Sequence, residues 1–453
     1  MRRAVLGLVL VCSQSGCGSW QRVGAPDRPQ PGVEVARLFD AATIYHRMGF
    51  FVTGAPIPAV ATVRYLAGPA PDSTLALFAL SMASNSLTFR RDGNEFVAEY
   101  HVEVSFGSDS TRPVQLASDQ TVRVRNFQET LRADESILFQ GFLTLAPGAY
   151  TASVMIRDRN SPAVSRRDRT DTVPRYTGPV LATPIPFYEG TGRDARSERP
   201  RLLANPRATL PYGADTLRFY VEGYGLPTGT RLAVVAVDQD ENELWRDTVM
   251  LQDAAGLARG TVKLAATMLP VGEEELRLET VGGGAQIRTP FLVSFSSQWV
   301  ITNYAEMVNL LRYFDRQDLV AKLRNAPLEQ RALAWREFWS ATDPVPLTPE
   351  NEAVDAYLRR VQIANLRFQE AGRAGWLTDR GGVYITLGEP DEVLDFSSSA
   401  VSRNSVQGGI RWTYNTLRLV LLFQDLTGFG RFDLTPSSRS DYFQVLARVR
   451  RAQ

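Results

Sequence analysis

The stretch Glu95-Phe96-Val97-Ala98-Glu99-Tyr100-His101-Val102-Glu103-Val104-Ser105-Phe106 decides the fold class. Phe96, Ala98, Tyr100, Val102, Val104 and Phe106 fall on one side of an extended chain, and Glu99, His101, Glu103 and Ser105 on the other. A period of two with one apolar side is a half-buried β-strand. Outward from it, residues 74–80, 121–125 and 137–145 also read as strands. Pro147-Gly148 reads as a turn, after which Tyr150, Ala152, Val154 and Ile156 alternate again. Short strands divided by turn signals predict a β-sandwich.

Residues 157–174 are charged and poor in apolar groups, which fits a hairpin or a linker. A second β-rich region follows over 176–297, with strands near 217–221, 232–237, 244–249, 276–280 and 291–295. Beyond 297 the period turns helical. Met307, Leu310, Leu311 and Phe314 form one stripe, and Leu328, Leu333, Trp335 and Trp339 a second. A long helix over 349–371 is expected, capped by Thr348, opened by Pro349 and favoured by Glu350 and Glu352 in its first turn. Strands return at 383–387, 410–414, 419–424 and 431–434, and 441–451 fits a short helix. The fold class expected is therefore multidomain β plus α+β. Two Ig-like β-sandwich modules, at 34–175 and 176–297, precede a C-terminal α+β domain at 298–453.

The N-terminus carries a different signal. Met1-Arg2-Arg3 is basic, Ala4 to Val11 is apolar, and Ser15-Gly16 precede Cys17. These are the parts of a secretory signal. The apolar run is about half of the ~20 residues that span a bilayer. Gln14-Ser15-Gly16-Cys17 resembles a lipobox, although Gln14 stands where an aliphatic residue is usual. The resemblance implies cleavage before Cys17 and lipid attachment to it, with more than one acyl chain giving stable anchoring. An ordinary cleaved signal and a buried N-terminal helix are the competing readings. Residues 18–33, with Pro26, Pro29 and Pro31, read as a tether. The expected location is the outer membrane or the periplasmic face of a membrane.

Composition narrows the chemistry. The 453 residues carry a net charge of +1, so no global field draws nucleic acid. The cation is almost always arginine, the only lysines being Lys263 and Lys322. Cys12 and Cys17 are the only cysteines and both lie in the signal, which leaves the body no cysteine chemistry. Histidine is limited to His46 and His101, without the spacing of a zinc pair. Neither a nucleophile elbow nor a phosphate loop is present. No cofactor is expected.

Gly375-Trp376-Leu377-Thr378-Asp379 stands inside a longer ordered pattern. Phe338-Trp339, Asp343-Pro344, Asn351-Glu352 and Ala364-Asn365 precede it. Asp379-Arg380-Gly381, Val383-Tyr384-Ile385 and Gly388-Glu389-Pro390-Asp391-Glu392-Val393 follow. This set resembles the GWxTD domain family of bacterial, mostly envelope-predicted proteins. The resemblance covers about a third of the chain and implies an architecture with no assigned activity. Gly375 fits a left-handed helix cap, Trp376 packs back on the helix, Thr378 and Asp379 bond backbone in a turn, and Arg380 pairs with Asp379, Asp391 or Glu392. Asn365 lies on the apolar stripe and needs internal partners. The functional alternative is a carboxylate site of Asp379, Asp391 and Glu392, with Asp425 as a possible fourth, able to share acid and base roles or to bind calcium. Two readings follow: an envelope lipoprotein that binds another protein or a polymer, and an envelope hydrolase with an acidic site.

Overall fold

The computed structural model describes residues 41–108, 111–132, 137–213, 216–265, 269–296, 299–301, 303–346, 348, 351–370, 373–396, 408–426, 428 and 430–452. The signal, Cys17 and the tether lie outside the described residues, as do Pro349 and Glu350. No helix among the described residues is long and apolar enough to cross a membrane.

The first part is β throughout after a short helix, α1 (Ala41–Arg47). Its strands are β1 (Phe51–Thr53), β2 (Ala59–Ala67), β3 (Thr74–Met82), β4 (Arg90–Asp92), β5 (Glu95–Ser108) and β6 (Thr111–Val124). After the one-turn helix α2 (Phe127–Thr130) come β7 (Ile137–Leu145), β8 (Gly148–Asp158) and β9 (Val164–Val173). They form one sheet in the order β1-β2-β3-β7 and another in the order β4-β5-β8-β9, with β6 also paired to β5. The quoted stretch is β5, and its apolar side from Ala98 to Phe106 is buried. β2 and β3 differ: all nine residues of each are buried. Their sheet is covered on both faces, so they read as near-continuous apolar runs instead of alternating ones. Residues 164–173 form β9, the edge strand. Arg166, Arg167, Asp168, Arg169 and Asp171 line it, and charge is what keeps an edge from recruiting another chain.

The second part contains β10 (Val180–Leu181), β11 (Ile185–Thr191), β12 (Arg201–Ala204), β13 (Thr209–Pro211), β14 (Thr216–Tyr224), β15 (Arg231–Val237) and β16 (Glu243–Met250). It continues with β17 (Gln252–Ala254), β18 (Leu257–Ala265), β19 (Gly272–Thr280) and β20 (Gln286–Ser294). One sheet runs β12-β11-β14-β18-β17 with β10 beside β14, and the other runs β13-β20-β19-β15-β16. Leu232, Val234 and Ala236 alternate inward on β15, and Phe219 and Phe291 meet between the sheets at 5.9 Å. The pairings are antiparallel except β13 with β20, which is parallel, and the two sheets packed face to face form a sandwich.

Glu274 on β19 is an exception to that apolar interior. It is buried, its Oε2 has no hydrogen-bond partner among the described residues, and burial pushes its carboxyl up to about 8, with Asp238 adding repulsion. The folded chain therefore holds a proton that the unfolded chain releases near 4.5. Stability present below that value falls as pH rises toward about 8. Linkage over such a shift is worth up to about 4–5 kcal/mol, and relaxation with water entry leaves about 2. Glu274→Gln is expected to melt at a higher temperature than wild type at pH 8 and to equal it at pH 4. Equal melting at both values would refute the assignment.

The C-terminal part is α+β. Helices α3 (Tyr304–Leu310), α4 (Gln317–Asn325), α5 (Arg331–Thr342), α6 (Glu352–Arg367) and α7 (Asp379–Leu387) come first. A sheet follows in the order β21 (Glu392–Asp395), β22 (Gly408–Tyr414), β23 (Leu419–Asp425) and β24 (Asp433–Leu434), and α8 (Pro436–Ala452) ends the chain. Met307, Leu310, Leu311 and Phe314 are buried together as their spacing predicts. Leu328 and Leu333 are not in that core: they are 68% and 55% exposed, and Ala332, Trp335 and Phe338 form the inner face of α5 instead. Residues 383–387 are the second half of α7, not a strand. Gly381, Gly382, Val383, Tyr384 and Ile385 are all buried, so the segment shows no helical period in its apolar pattern. α6 opens at Asn351 and not at Thr348: the Asn351 side chain accepts from Val354 N–H at 3.0 Å and donates to Trp339 O and Thr342 Oγ1. Thr348 bonds the Glu352 carboxylate, and the helix ends at Arg367. The closing helix, α8, is longer than 441–451.

The C-terminal helices share a core with the second sandwich. Phe295 at the end of β20 lies 4.6 Å from Trp335 on α5, and the Trp299 indole donates to Asp355 of α6 at 2.7 Å. One apolar cluster runs from α1 through the second sandwich to α8.

Candidate functional site

The motif sits where α6, α7, β24 and α8 meet. Past α6 the chain makes a 3₁₀ turn, Gly375–Leu377, laid directly on the last turns of that helix. A Cβ on Gly375 would stand 2.3 Å from Ala364 O and 2.7 Å from Asn365 O. Gly375 is thus required by close approach. Its φ is not positive, so the expected left-handed cap is absent there; Gly388, which ends α7, has a positive φ of 84° but a ψ of −162°, outside the left-handed helical region. Trp376 packs back on this turn and is buried, with the Arg312 guanidinium 6.0 Å from its ring.

Thr378 starts α7. Its Oγ1 accepts from Gly381 N–H at 3.0 Å and donates to Gly375 O at 2.8 Å. This is an N-cap that also ties the helix to the preceding turn. Asp379, in the first turn of α7, faces away from that cap. Its Oδ2 accepts from Leu434 N–H at 2.7 Å and from the Arg439 guanidinium at 2.5 Å, which fixes β24 and α8. A carboxylate at a helix N-terminus is also favoured by the helix dipole. Arg380 pairs with none of the acids expected for it. It bonds Glu370 Oε1 at 3.0 Å and stacks on Phe432 at 4.7 Å. The Glu370 side chain has no exposure, and burial raises its pKa against the pull of Arg380. Sequence reasoning missed Glu370, because no spacing rule links it to Arg380 across the turn. Asn365 is buried as expected, but its Oδ1 has no partner among the described residues.

The remaining acids are spent separately. Asp391 Oδ2 accepts from Asn415 N–H at 2.6 Å, and Glu392 is exposed on β21. Asp425 closes a loop, accepting from Gly428 N–H and Gly430 N–H. Among the described residues no group of three or more His, Cys, Asp or Glu is placed to hold a metal ion. His101, on the polar side of β5, is half-buried and bonds Asp119 at 2.8 Å.

At the end of α7 away from the motif lies a cleft of about 360 Å³, with Arg360, Glu389, Asp391, Tyr414, Thr416 and Leu417 on its walls. The Gly388-Glu389-Pro390-Asp391 segment forms one side. Glu389 is held by both terminal nitrogens of Arg367, at 2.6 and 2.8 Å, and this pairing lowers its pKa. Tyr414 donates to Gly388 O, and burial with the nearby Glu389 pushes its phenol up.

Residues 287–417 match the family model of the GWxTD domain. The chain is a GWxTD domain-containing protein. The match begins inside β20, so the family region includes a strand of the second sandwich as well as the helices and β21–β22. No curated protein matches the chain. Among solved structures it is similar to red sea bream transglutaminase, at 8% identity over 56% of this chain and 33% of that one, with a TM-score of 0.16. It is also similar to a Bifidobacterium dentium β-glucuronidase, at 9% identity over 53% of this chain and 48% of that one, TM-score 0.18. Trypsin-activated α2-macroglobulin from Escherichia coli aligns at 11% identity over 55% of this chain and 17% of that one, TM-score 0.18. The chain spans less than half the length of each. These scores carry no argument about the GWxTD domain.

Proposed function

We propose that this chain is an exported, lipid-anchored protein of the bacterial cell envelope whose GWxTD domain serves a structural or binding role toward another protein or a polymer. The observation that supports a binding role over a catalytic one is how the motif's groups are used. Gly375, Thr378, Asp379 and Arg380 are each engaged inside the domain, by close packing, a helix cap, a backbone N–H and a buried carboxylate respectively. A hydrolase that trades a proton between two carboxylates needs them facing one another, whereas Asp379 is tied to Leu434 N–H and Arg439 at the start of α7 and Asp391 lies beyond the end of that helix, on Asn415 N–H. The anchor rests on the basic, apolar and small-residue order ending at Cys17.

Metabolic labelling with a palmitate analogue tests the anchor. Wild type is expected to take up label and to fractionate with membranes, and Cys17→Ala to lose the label. Equal labelling of both rejects lipidation at this residue. Mild crosslinking in cells followed by purification tests the binding role. A discrete envelope protein or polymer adduct is expected, and its persistence after the segment from residue 299 onward is removed would exclude the GWxTD domain as the docking part.

A further inference from the structure

Arg360 and Arg367 lie seven residues apart on α6 and so share a face. Arg367 is committed to Glu389. Arg360 is different. Among the described residues it makes no hydrogen bond and no ion pair, and its Nε is shut off from solvent. Its terminal nitrogens, also unpaired among the described residues, are open to solvent, so they are the donors that an acceptor in the cleft can reach. Arg360 is also on the wall of the cleft, and Asp391 and Glu389 are on the same wall set without pairing to it. Asp391 commits Oδ2 to Asn415 N–H, which leaves Oδ1 for a donor in the cleft. The result is a positive group and a negative group lining one cleft without pairing to each other, with Leu417 and Val449 supplying apolar wall.

We propose that this cleft binds a small zwitterion, an α-amino acid or dipeptide, with its carboxylate on Arg360 and its ammonium on Asp391. A guanidinium suits a carboxylate because its N–H fork matches the two oxygens. Phosphate fits poorly, because Asp391 and Glu389 repel a second negative charge. The volume of about 360 Å³ is at the small end of ligand sites, which run from about 300 to 1,000 Å³. Thr416 on the turn after β22 is exposed and stands at the rim. The site concerns a small solute and does not depend on the envelope-partner reading above.

Calorimetric titration of the full purified chain tests the proposal with four probes: L-alanyl-L-alanine, N-acetyl-L-alanine, L-alaninamide and inorganic phosphate. The dipeptide is expected to bind with Kd below about 1 mM. N-acetyl-L-alanine lacks the ammonium and L-alaninamide lacks the carboxylate, and each is expected to bind at least about tenfold more weakly. Arg360→Gln is expected to weaken the dipeptide by the same factor. Thr416→Trp fills the cleft while keeping Arg360, and is expected to abolish binding with an unchanged melting temperature. If Arg360→Gln fails to fold, Thr416→Trp decides. No dipeptide binding, dipeptide binding that survives Thr416→Trp, or phosphate binding more tightly than the dipeptide overturns the proposal.

Discussion

Arg193→Met is expected to cost about 3–5 kcal/mol of stability, which is the loss on removing one partner of a buried ion pair. The Arg193 and Glu222 side chains have no solvent exposure. The guanidinium meets the carboxylate through Nε at 2.9 Å and a terminal nitrogen at 2.8 Å, and it also donates to Arg196 O and Glu198 O. Tyr220 and Tyr224 donate to the same carboxylate, whose charge together with burial raises both phenols. The network crosses between sandwiches. Arg193 donates to Ala67 O at 2.7 Å, and Ala67 N–H donates to the Tyr224 hydroxyl at 2.9 Å. Removing Arg193 leaves the Glu222 charge without compensation in an apolar setting and frees the end of β2. The double variant Arg193→Met with Glu222→Leu leaves no orphaned charge and is expected to recover most of the loss. Denaturant titration measures both. A single variant within about 1 kcal/mol of wild type would refute the account.

The same network shows which features were legible from sequence. Arg193 and Glu222 lie 29 positions apart with no spacing rule between them, so their pairing is a fact of topology. β5 was readable because one of its faces is wet and the period of two survives. β2 was not, because burial on both faces removes the polar half of the pattern, and Arg64 within it suggests a surface that does not exist: Arg64 is 7% exposed. β9 escaped for the opposite reason, since an edge strand carries charge where a central strand carries apolar groups. In the GWxTD domain the residues that matter were identifiable as a set, and the roles were partly readable. Thr378 and Asp379 do bond backbone, as their type predicts. The helix that Thr378 starts was hidden by Gly381-Gly382, which have low helix propensity yet are needed for packing. The free guanidinium of Arg360 was invisible in sequence, because a lone exposed-looking arginine on a helix has no signature until its neighbours are known.

Gly381→Ala is the second change with a large expected effect. The added Cβ would stand 1.9 Å from Gly375 O and 3.1 Å from Trp376 Cα. Both are backbone atoms, so no flexible side chain can turn aside. Relief requires α7 to move off the Gly375–Leu377 turn. That movement would break the Thr378 cap and strain the Asp379 contacts to Leu434 N–H and Arg439. Loss of a cap alone costs about 1 kcal/mol, and forced overpacking adds about 1–3 kcal/mol. Propensity acts the other way: alanine in a helix gains up to about 1 kcal/mol over glycine. The net expectation is a loss of about 1–4 kcal/mol, and the sign is informative, because an unstrained Gly-to-Ala change in a helix stabilises. Gly428→Ala is the matched control. Its glycine has a positive φ of 73° but open space around the Cβ, so its cost comes from backbone conformation alone. Gly381→Ala should therefore lower the melting temperature of the full chain more than Gly428→Ala does. Stabilisation by Gly381→Ala would show that α7 is not pressed against the turn, and that close packing does not require a glycine after the Thr-Asp-Arg of the motif.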